Sequence, residues 1–459
     1  MRRVIYASVA AVISAFGAAR AHGETLEEAL ASTYNTNPQI LAERANLRAI
    51  DEGVPQALSG WRPTVTFSGS VGAERSENTP ATALNVNAPP HQSLQPHSYS
   101  LTVNQPLFNG GNTVAKTSQA EDTVQSERAR LIATESTALF TAAQAYFDVL
   151  RDQAVVELDR NNEKVLSRQL DITSDQFRVG QVTRTDVAQA QSALAAATAT
   201  RLTDQGTLEN DRASYTRAVG HPPVDLVQPK SALALPGTRE QALALASTEN
   251  PNVIAAQYAE DAARDLVAAT KAQLLPSLAL VGNVQRLQET QLNGREQTNY
   301  SGVAQLTIPL YEAGNIWSQS RQAIENVGKA QGTTDDARRA AVQTATQSWE
   351  TVNSAGASIR SLQTTINAAT IALEGITQQQ QVGQRTTQDV LIQQQTLFVD
   401  QVNLAKAQHD QSVAQFNLSQ QIGRLTAADL KLPVKIYDVN VHYKSVRNKA
   451  VGFSADDGQ

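Results

Sequence analysis

The chain carries two copies of one sequence unit, and this duplication limits the folds open to it. Residues 179–187 read VGQVTRTDV and return, 203 positions later, as VGQRTTQDV at residues 382–390. Earlier in each copy, Asn37-Pro38 corresponds to Asn250-Pro251, 213 positions later. The unit therefore spans about half the chain, and the fold must be built from two similar supersecondary units.

The first 22 residues have the pattern of a secretory signal peptide. Arg2 and Arg3 form a basic start, residues 4–19 are mostly apolar and small, and Ala19-Arg20-Ala21 offers a cleavage site. The apolar run is too short and too rich in Ala and Ser for a membrane anchor. We therefore expect residues 1–22 to be removed from an exported protein that has no transmembrane helix after them.

The composition excludes several kinds of chemistry. The chain has no cysteine, so it can form neither disulfides nor thiolate sites. Its formal net charge of −6 argues against a nucleic-acid partner. The six histidines show no metal-ligand spacing, and no nucleophile elbow, P-loop, dinucleotide or zinc-protease motif is present. We expect no enzyme activity, no catalytic residue, no cofactor and no metal site.

The helical pattern divides into long segments in both copies. We expect a signal peptide at 1–22, a first repeat at 23–228, a second at 229–432, and a C-terminal tail at 433–459. The predicted helices cover about 25–60, 113–178 and 184–219 in the first repeat, and about 238–274, 316–381 and 387–422 in the second. In each copy the Asn-Pro pair restarts the first helix, with Asn as N-cap and Pro at the first helical position. The longest helices would each extend on the order of 100 Å.

A period of two marks four strands in two hairpins. The predicted strands cover about 63–74, 98–108, 276–287 and 299–311. In the first, Val65, Phe67 and Val71 alternate with threonine and serine, which is typical of a strand with one apolar and one polar face. The connecting loops are predicted at about 74–97 and 288–298.

The repeated nine-residue segment predicts a tight turn between two helices. Gly180 and Gly383 are suited to the left-handed conformation that ends a helix. Thr183 with Asp186, and Thr386 with Asp389, have the spacing of capping boxes. From the residues alone, helix capping is the simplest role for both acids.

The hairpins constrain the assembly. A hairpin with one apolar face is not stable alone, and in lipid its backbone must close into a barrel without free edges. Four strands are too few, because the smallest usual barrel has about eight. Several chains would then share one barrel, with the polar faces lining a pore that the helices prolong.

This order of elements resembles the TolC-type outer-membrane efflux proteins over roughly residues 24–430. The resemblance rests on helix, Asn-Pro, helix, hairpin, long helix, the Val-Gly-x-x-Thr-x-x-Asp-Val turn and a returning helix, found twice. It implies an α+β homotrimer in the outer membrane of a Gram-negative bacterium, with a 12-stranded β-barrel continued by a periplasmic α-helical barrel. The partners it implies are outer-membrane lipid, a periplasmic adaptor protein and an inner-membrane pump of the RND or ABC type.

The resemblance also implies roles for the turn residues. Adaptor docking falls on the Val-Gly pairs, Val179, Gly180, Val382 and Gly383. Residues matching the links and acids that close the family's tunnel are Asp389, Arg385, Asp186, Thr185 and Gln380. Two positions depart from the family pattern: a second acid is replaced by Ile392, and the aromatic partner of Asp186 is replaced by Gln380.

Two alternatives remain open at this stage. Long Ala- and Gln-rich helices also build periplasmic coiled-coil adaptors or scaffolds. An enzyme such as a cell-wall hydrolase would need a clefted domain, for which no segment outside the repeats is long enough. Residues 436–443 alternate in polarity, so the tail is predicted to be a short strand or a basic mobile end. The cargo, drug or protein, is not determined by the sequence.

Overall fold

The computed structural model describes residues 23–77, 91–229, 233–290 and 293–453. The predicted signal peptide lies outside these ranges. The described chain forms two compact units. The first contains the residues up to Arg44, Leu131–Val253 and Arg338–Tyr437; the second contains Ala45–Arg130, Ile254–Ala337 and the residues from Asp438 onward. Each unit takes residues from both repeats, so the compact units do not coincide with the sequence repeats.

Ten helices and six strands are present among the described residues. The helices are α1 (Leu26–Thr36), α2 (Pro38–Asp51), α3 (Gly53–Leu58), α4 (Asn112–Arg178), α5 (Arg184–Val219), α6 (Arg239–Glu249), α7 (Pro251–Ala272), α8 (Asn315–Gln381), α9 (Thr387–Gln421) and α10 (Val439–Val446). The strands are β1 (Thr64–Val71), β2 (Glu74–Glu77), β3 (His91–Leu94), β4 (His97–Asn109), β5 (Ser277–Gln288) and β6 (Glu296–Thr307).

The Asn-Pro pairs make the same contacts in both repeats of the first unit. The side-chain oxygen of Asn37 accepts a 2.9 Å hydrogen bond from the Gln39 amide, and Asn250 caps α7 in the same way at 2.9 Å. The Asn37 amide also donates to the Ala218 carbonyl (3.4 Å), and the Asn250 amide donates to the Gln421 carbonyl (2.9 Å). Each asparagine therefore caps one helix and satisfies a free carbonyl at the end of another.

The sequence pattern predicted one continuous helix from Pro38 to about Ser59, and this prediction is wrong. Helix α2 ends at Asp51, α3 follows, and a short 3-10 turn closes the segment at Ser59–Trp61. Pro55 explains the break, because it has no N–H to donate to the Asp51 carbonyl and its ring crowds that turn.

Four strands form one antiparallel sheet in the second unit, in the order β1-β4-β5-β6. Strand β4 pairs with β5 from His97 to Asn109, so the hairpins of the two repeats are joined side by side. The predicted first loop is wrong in part: β2 and β3 pair within it as a separate two-stranded sheet. Strand β6 begins earlier than predicted and ends at Thr307 rather than near Tyr311.

The register places apolar side chains on one face of this sheet. Phe67 lies opposite Leu101, Leu101 opposite Val284, and Val284 opposite Tyr300. Phe67 is 68% exposed and Tyr300 is 78% exposed, so this face is uncovered in the single chain. The other face carries hydroxyls and amides. Three of its cross-strand contacts are Ser68–Ser100 (3.3 Å), Ser70–Ser98 (2.7 Å) and Asn283–Thr102 (2.8 Å).

The first unit has a hydrophobic core at the level of the Asn-Pro contacts. Buried tyrosines lie at its centre, with Tyr34, Tyr146 and Tyr215 each at most 2% exposed. Their hydroxyls are satisfied: that of Tyr215 donates to the Glu24 carboxylate (2.7 Å), and that of Tyr146 donates to the Val227 carbonyl (2.6 Å). Elsewhere alanines fill much of the core, which lets long helices pack closely.

The C-terminal tail is neither a strand nor a mobile end over its described part. Asp438 caps α10 by accepting a bond from the Asn440 amide (2.9 Å). His442 and Val446 are buried one turn apart, so the helical period overrides the alternation. The His442 Nδ1 lies 2.9 Å from the Asp51 carboxylate, and Arg447 pairs with Glu121 at 2.9 Å. These contacts fix the tail within the second unit.

Two acidic pairs lie between α4 and α5 in the first unit. Asp159 faces Asp204, and Asp152 faces Asp211, seven residues away along each helix. Asp159 is 2% exposed, and burial together with the Asp204 carboxylate raises its pKa to about 7. Since the charged form is disfavoured, this pair destabilises the fold once both of its carboxyl groups are ionised.

We predict that Asp204→Asn raises thermal stability at pH 8 and changes it little at pH 4. In the natural protein, the free-energy penalty of ionising Asp159 beside Asp204 is absent below the ordinary aspartate pKa of 3.8. It is complete above about pH 7. Removing one charge should recover on the order of 1–2 kcal/mol at pH 8. Circular dichroism melts at both pH values measure this, with the exposed Glu157→Gln as control. Equal shifts at both pH values would contradict the prediction.

Candidate functional site

The two repeated turns have the same backbone geometry. Gly180 has φ +75° and Gly383 has φ +78°, the left-handed region that glycine tolerates. The Gly180 amide donates to the Phe177 carbonyl (3.0 Å) and the Gln181 amide to the Gln176 carbonyl (2.9 Å). The second turn repeats this pair of bonds, with Gly383 bonded to Gln380 at 3.0 Å and Gln384 to Gln379 at 2.9 Å. Both long helices therefore end in a Schellman motif.

Both returning helices begin with a complete capping box. One Asp186 oxygen accepts bonds from the Thr183 amide (2.8 Å) and hydroxyl (2.7 Å), and the Asp186 amide donates back at 3.3 Å. Asp389 and Thr386 make the same bonds at 2.9, 3.0 and 3.2 Å. The predicted caps are confirmed by these contacts.

The caps keep both acids ionised in the single chain. Hydrogen bonds from the Thr183 hydroxyl and amide lower the pKa of Asp186. Those from the Thr386 amide and hydroxyl lower the pKa of Asp389, with a smaller contribution from Arg385.

The structure separates the other predicted gate residues. The Arg385 Nε donates to the Gln379 side chain (3.2 Å), a partner with no distinguishing signal in the sequence because it lies in a run of four glutamines. Thr185 is exposed. Among the hydrogen bonds of the described residues, Asp186 pairs with Thr183, and none joins it to Gln380 within the single chain. Ile392, where a second acid was expected, is 54% exposed.

The turns combine exposed apolar and charged side chains. Val179 is 71% exposed and Val382 is 70% exposed, directly before the glycines. The two turns differ in the position of their arginine: Arg385 precedes the cap of its helix, whereas Arg184 follows it. The second turn therefore has its cation beside the capped acid, and the first does not share that local arrangement.

The described residues contain no candidate metal centre. No group of three or more His, Asp or Glu side chains among them could hold a metal ion. Within the same residues, no helix combines the length and apolar content needed to cross a membrane.

Comparison with known proteins assigns the family. The sequence profile of the outer membrane efflux protein family matches residues 6–221 and 242–424. The chain belongs to this family. It is 32% identical to the outer membrane efflux protein BepC of Brucella suis, over 95% of this chain and 93% of that protein. It is 27% identical to the outer membrane protein TolC of Vibrio cholerae, over 91% and 94% of the two chains.

Other relatives extend the range of named functions. The alkaline protease secretion protein AprF of Pseudomonas aeruginosa is 28% identical over 72% of this chain and 71% of its own. The solved structure of VceC from Vibrio cholerae superimposes with a TM-score of 0.75, over 87% of this chain and 96% of that one. CmeC of Campylobacter jejuni gives 0.77, over 92% and 89%. At 18% and 14% identity these structures support the fold.

Family membership confirms the resemblance and the fold class predicted from the sequence. This efflux protein belongs to the outer membrane of a Gram-negative bacterium and extends into the periplasm. Its family consists of channels rather than enzymes. Membership of this family therefore does not favour the adaptor or hydrolase alternatives.

Proposed function

We propose that three copies of this chain form a passive exit duct that conducts cargo across the periplasm and the outer membrane. The observation that carries the proposal is the four-stranded sheet of the second unit. Its apolar face is uncovered, and β1 and β6 are its edges within the described residues. Such a sheet suits a site where lipid covers the apolar face and other copies pair with the edges.

Backbone pairing requires more than one copy, and the family resemblance implies three. Each unpaired N–H or C=O group in lipid costs several kcal/mol, so an open edge strand is excluded from the membrane. Four strands are below the usual minimum for closure, whereas four from each of three copies make a barrel of ordinary size. The hydroxyl and amide face would then line the channel.

The long helices supply the periplasmic part. Helices α4 and α8 have 67 residues each, on the order of 100 Å at 1.5 Å per residue. Each of these helices ends at a Val-Gly turn, where an exposed valine precedes the glycine that closes the helix. We propose that these turns dock a periplasmic adaptor protein, which links the duct to an inner-membrane pump of the RND or ABC type.

The names of the relatives support two cargo classes. BepC is named an efflux protein, and AprF is named for alkaline protease secretion. A passive duct of this architecture would serve either small molecules or polypeptide, and the pump would select between them.

We predict that Leu101→Arg prevents assembly, whereas Thr102→Arg is tolerated and changes conductance. The two residues are adjacent on β4 but face opposite sides of the sheet. An arginine on a lipid-facing side costs roughly 2–4 kcal/mol near the bilayer midplane. Leu306→Arg and Gln305→Arg form a second matched pair on β6. Size-exclusion chromatography with light scattering in mild detergent measures the trimer.

Two results would contradict this account of the assembly. A folded natural protein that stays monomeric in mild detergent would overturn the trimer. Equal tolerance of arginine at Leu101 and Thr102 would mean that both faces of the sheet meet water.

We predict that replacing Gly180 and Gly383 together by leucine leaves the trimer intact and abolishes export. A Cβ at either glycine meets no atom within 4 Å, so the cost is the left-handed backbone, about 1–2 kcal/mol per site. Export assays and cross-linking to the adaptor measure the effect. Gly206→Leu, within α5 and also in open space, is the control. Persistent export in the double variant would exclude the turns as the docking surface.

We predict that Asp389→Asn weakens cation selectivity and block by multivalent cations. Three copies of this carboxylate around one axis would attract cations into a narrow pore. Asparagine keeps an oxygen for the cap, so the change tests charge rather than folding. Arg385→Ala should instead raise the open probability. Single-channel recording of the purified protein measures both, with the exposed Glu157→Gln on α4 as control. Unchanged selectivity in Asp389→Asn would leave Asp389 as a capping residue only.

A further inference from the structure

His409 connects the second repeat to an acidic cluster of the first repeat, within the first unit. It lies on α9, and its side chain is 10% exposed. Its Nε2 lies 2.8 Å from the Asp148 carboxylate on α4, and its Nδ1 lies 2.9 Å from the Asp410 carboxylate on α9. Both ring nitrogens therefore face carboxylate oxygens.

This geometry requires a charged imidazole. A neutral ring has one N–H and one bare nitrogen, and the bare nitrogen would face a carboxylate lone pair. Only the doubly protonated ring is attracted on both sides: its Nδ1–H donates a hydrogen bond to Asp410, and its Nε2–H forms an ion pair with Asp148 at 2.8 Å, although it does not point at that oxygen closely enough for a hydrogen bond. Loss of the proton replaces one attractive contact by a repulsive one.

The surrounding charges also favour the proton. Arg151 contacts three carboxylates: Asp148 (2.8 Å) and Asp152 (2.7 Å) on α4, and Asp211 (3.0 Å) on α5. With Asp410, which contacts His409 rather than Arg151, the cluster holds four acids and one permanent cation. One oxygen of the buried Asp152 has no hydrogen-bond partner within the described part of the chain. The cluster therefore lacks positive charge unless His409 is protonated.

We propose that His409 is a proton-dependent tie that holds α9 of the second repeat against α4 of the first. The protonated ring bridges Asp148 and Asp410 and reduces the excess negative charge of the cluster. The neutral ring removes that bridge, and α9 opens more readily at this level. The proposal goes beyond the exit-duct function and does not depend on trimer formation or cargo.

The direction of the pKa shift at His409 agrees with a protonated ring. Burial lowers the pKa of His409, as does the charge of Arg151, but the contacts with Asp148 and Asp410 outweigh both and raise this pKa above its ordinary value of 6.5. A group with a raised folded-state pKa stabilises the fold fully below its ordinary pKa of about 6.5 and loses this effect as pH rises through the folded value. Asp211 also takes up a proton here, since burial and Asp152 raise its pKa to about 6. Acidification therefore strengthens the cluster at two positions.

Hydrogen–deuterium exchange of the full-length purified protein tests the tie. Protection of a peptide covering residues 401–413 on α9 is measured from pH 6 to pH 9, after correction for the intrinsic pH dependence of exchange. We expect protection to fall about tenfold over this range in the natural protein, the equivalent of one pKa unit. In His409→Gln, protection should be low at pH 6 and show no step.

Two further variants separate this step from other titrations. Asp410→Asn removes one of the two carboxylates from the more exposed side, so the step should remain and move to lower pH. His221→Gln removes a different imidazole, 3.4 Å from Glu24, and should leave the step unchanged. Asp204→Asn should also leave it unchanged, which excludes the neighbouring acidic pair as its source.

The proposal would be overturned by a step that persists unchanged in His409→Gln. It would also be overturned if His409→Gln lowered protection equally at every pH while keeping the same profile, because that outcome describes a packing role alone.

Discussion

Backbone hydrogen bonding in the four-stranded sheet is the constraint on which the rest of the structure depends. Strands β4 and β5 are paired on both sides, and β1 and β6 are paired on one. The β4–β5 pairing joins the hairpins of the two repeats, so neither repeat is complete without the other. The same register gathers the apolar side chains on one face, which makes the sheet unsuited to water and suited to lipid.

The helical part uses different means to join the repeats. Alanines dominate much of its core and allow long helices to approach closely. The contacts that define helix ends are polar and are made twice, once around Asn37 and once around Asn250. Because a buried helix end requires partners for its free carbonyls, each asparagine amide positions the end of a returning helix. The duplication therefore preserves contacts as well as sequence.

The charges of the first unit are distributed unevenly along the helices. At the turns, Asp186 and Asp389 accept hydrogen bonds from the threonines that cap their helices, and both remain ionised. Between α4 and α5, burial and a facing carboxylate raise the pKa of Asp159 and of Asp211. Carboxylates of the same type thus have opposite pKa shifts, because one group accepts backbone hydrogen bonds and the other faces like charge. A single histidine, His409, contributes a removable positive charge to the paired region.

The sequence by itself determined the repeat, the long helices, the turns and the two-faced strands. These features depend on local spacing: the left-handed glycines Gly180 and Gly383, the Thr-x-x-Asp caps and the alternation from Thr64 to Val71 need only neighbouring residues. The family resemblance, confirmed by comparison, rests on the same local features.

Only the tertiary structure decided what depends on residues far apart in the chain. The tail became α10 because His442 meets Asp51, a partner 391 positions away. No periodicity in the sequence indicates the strand order or the partner of Arg385. The same is true of the contacts that the Asn37 and Asn250 amides make with the ends of other helices. The acidic pairs and the two carboxylates around His409 also escape the sequence, since a charge on a helix reads as a solvated face until another helix covers it. Spacing along the chain specifies elements, and burial specifies which of their polar groups must find each other.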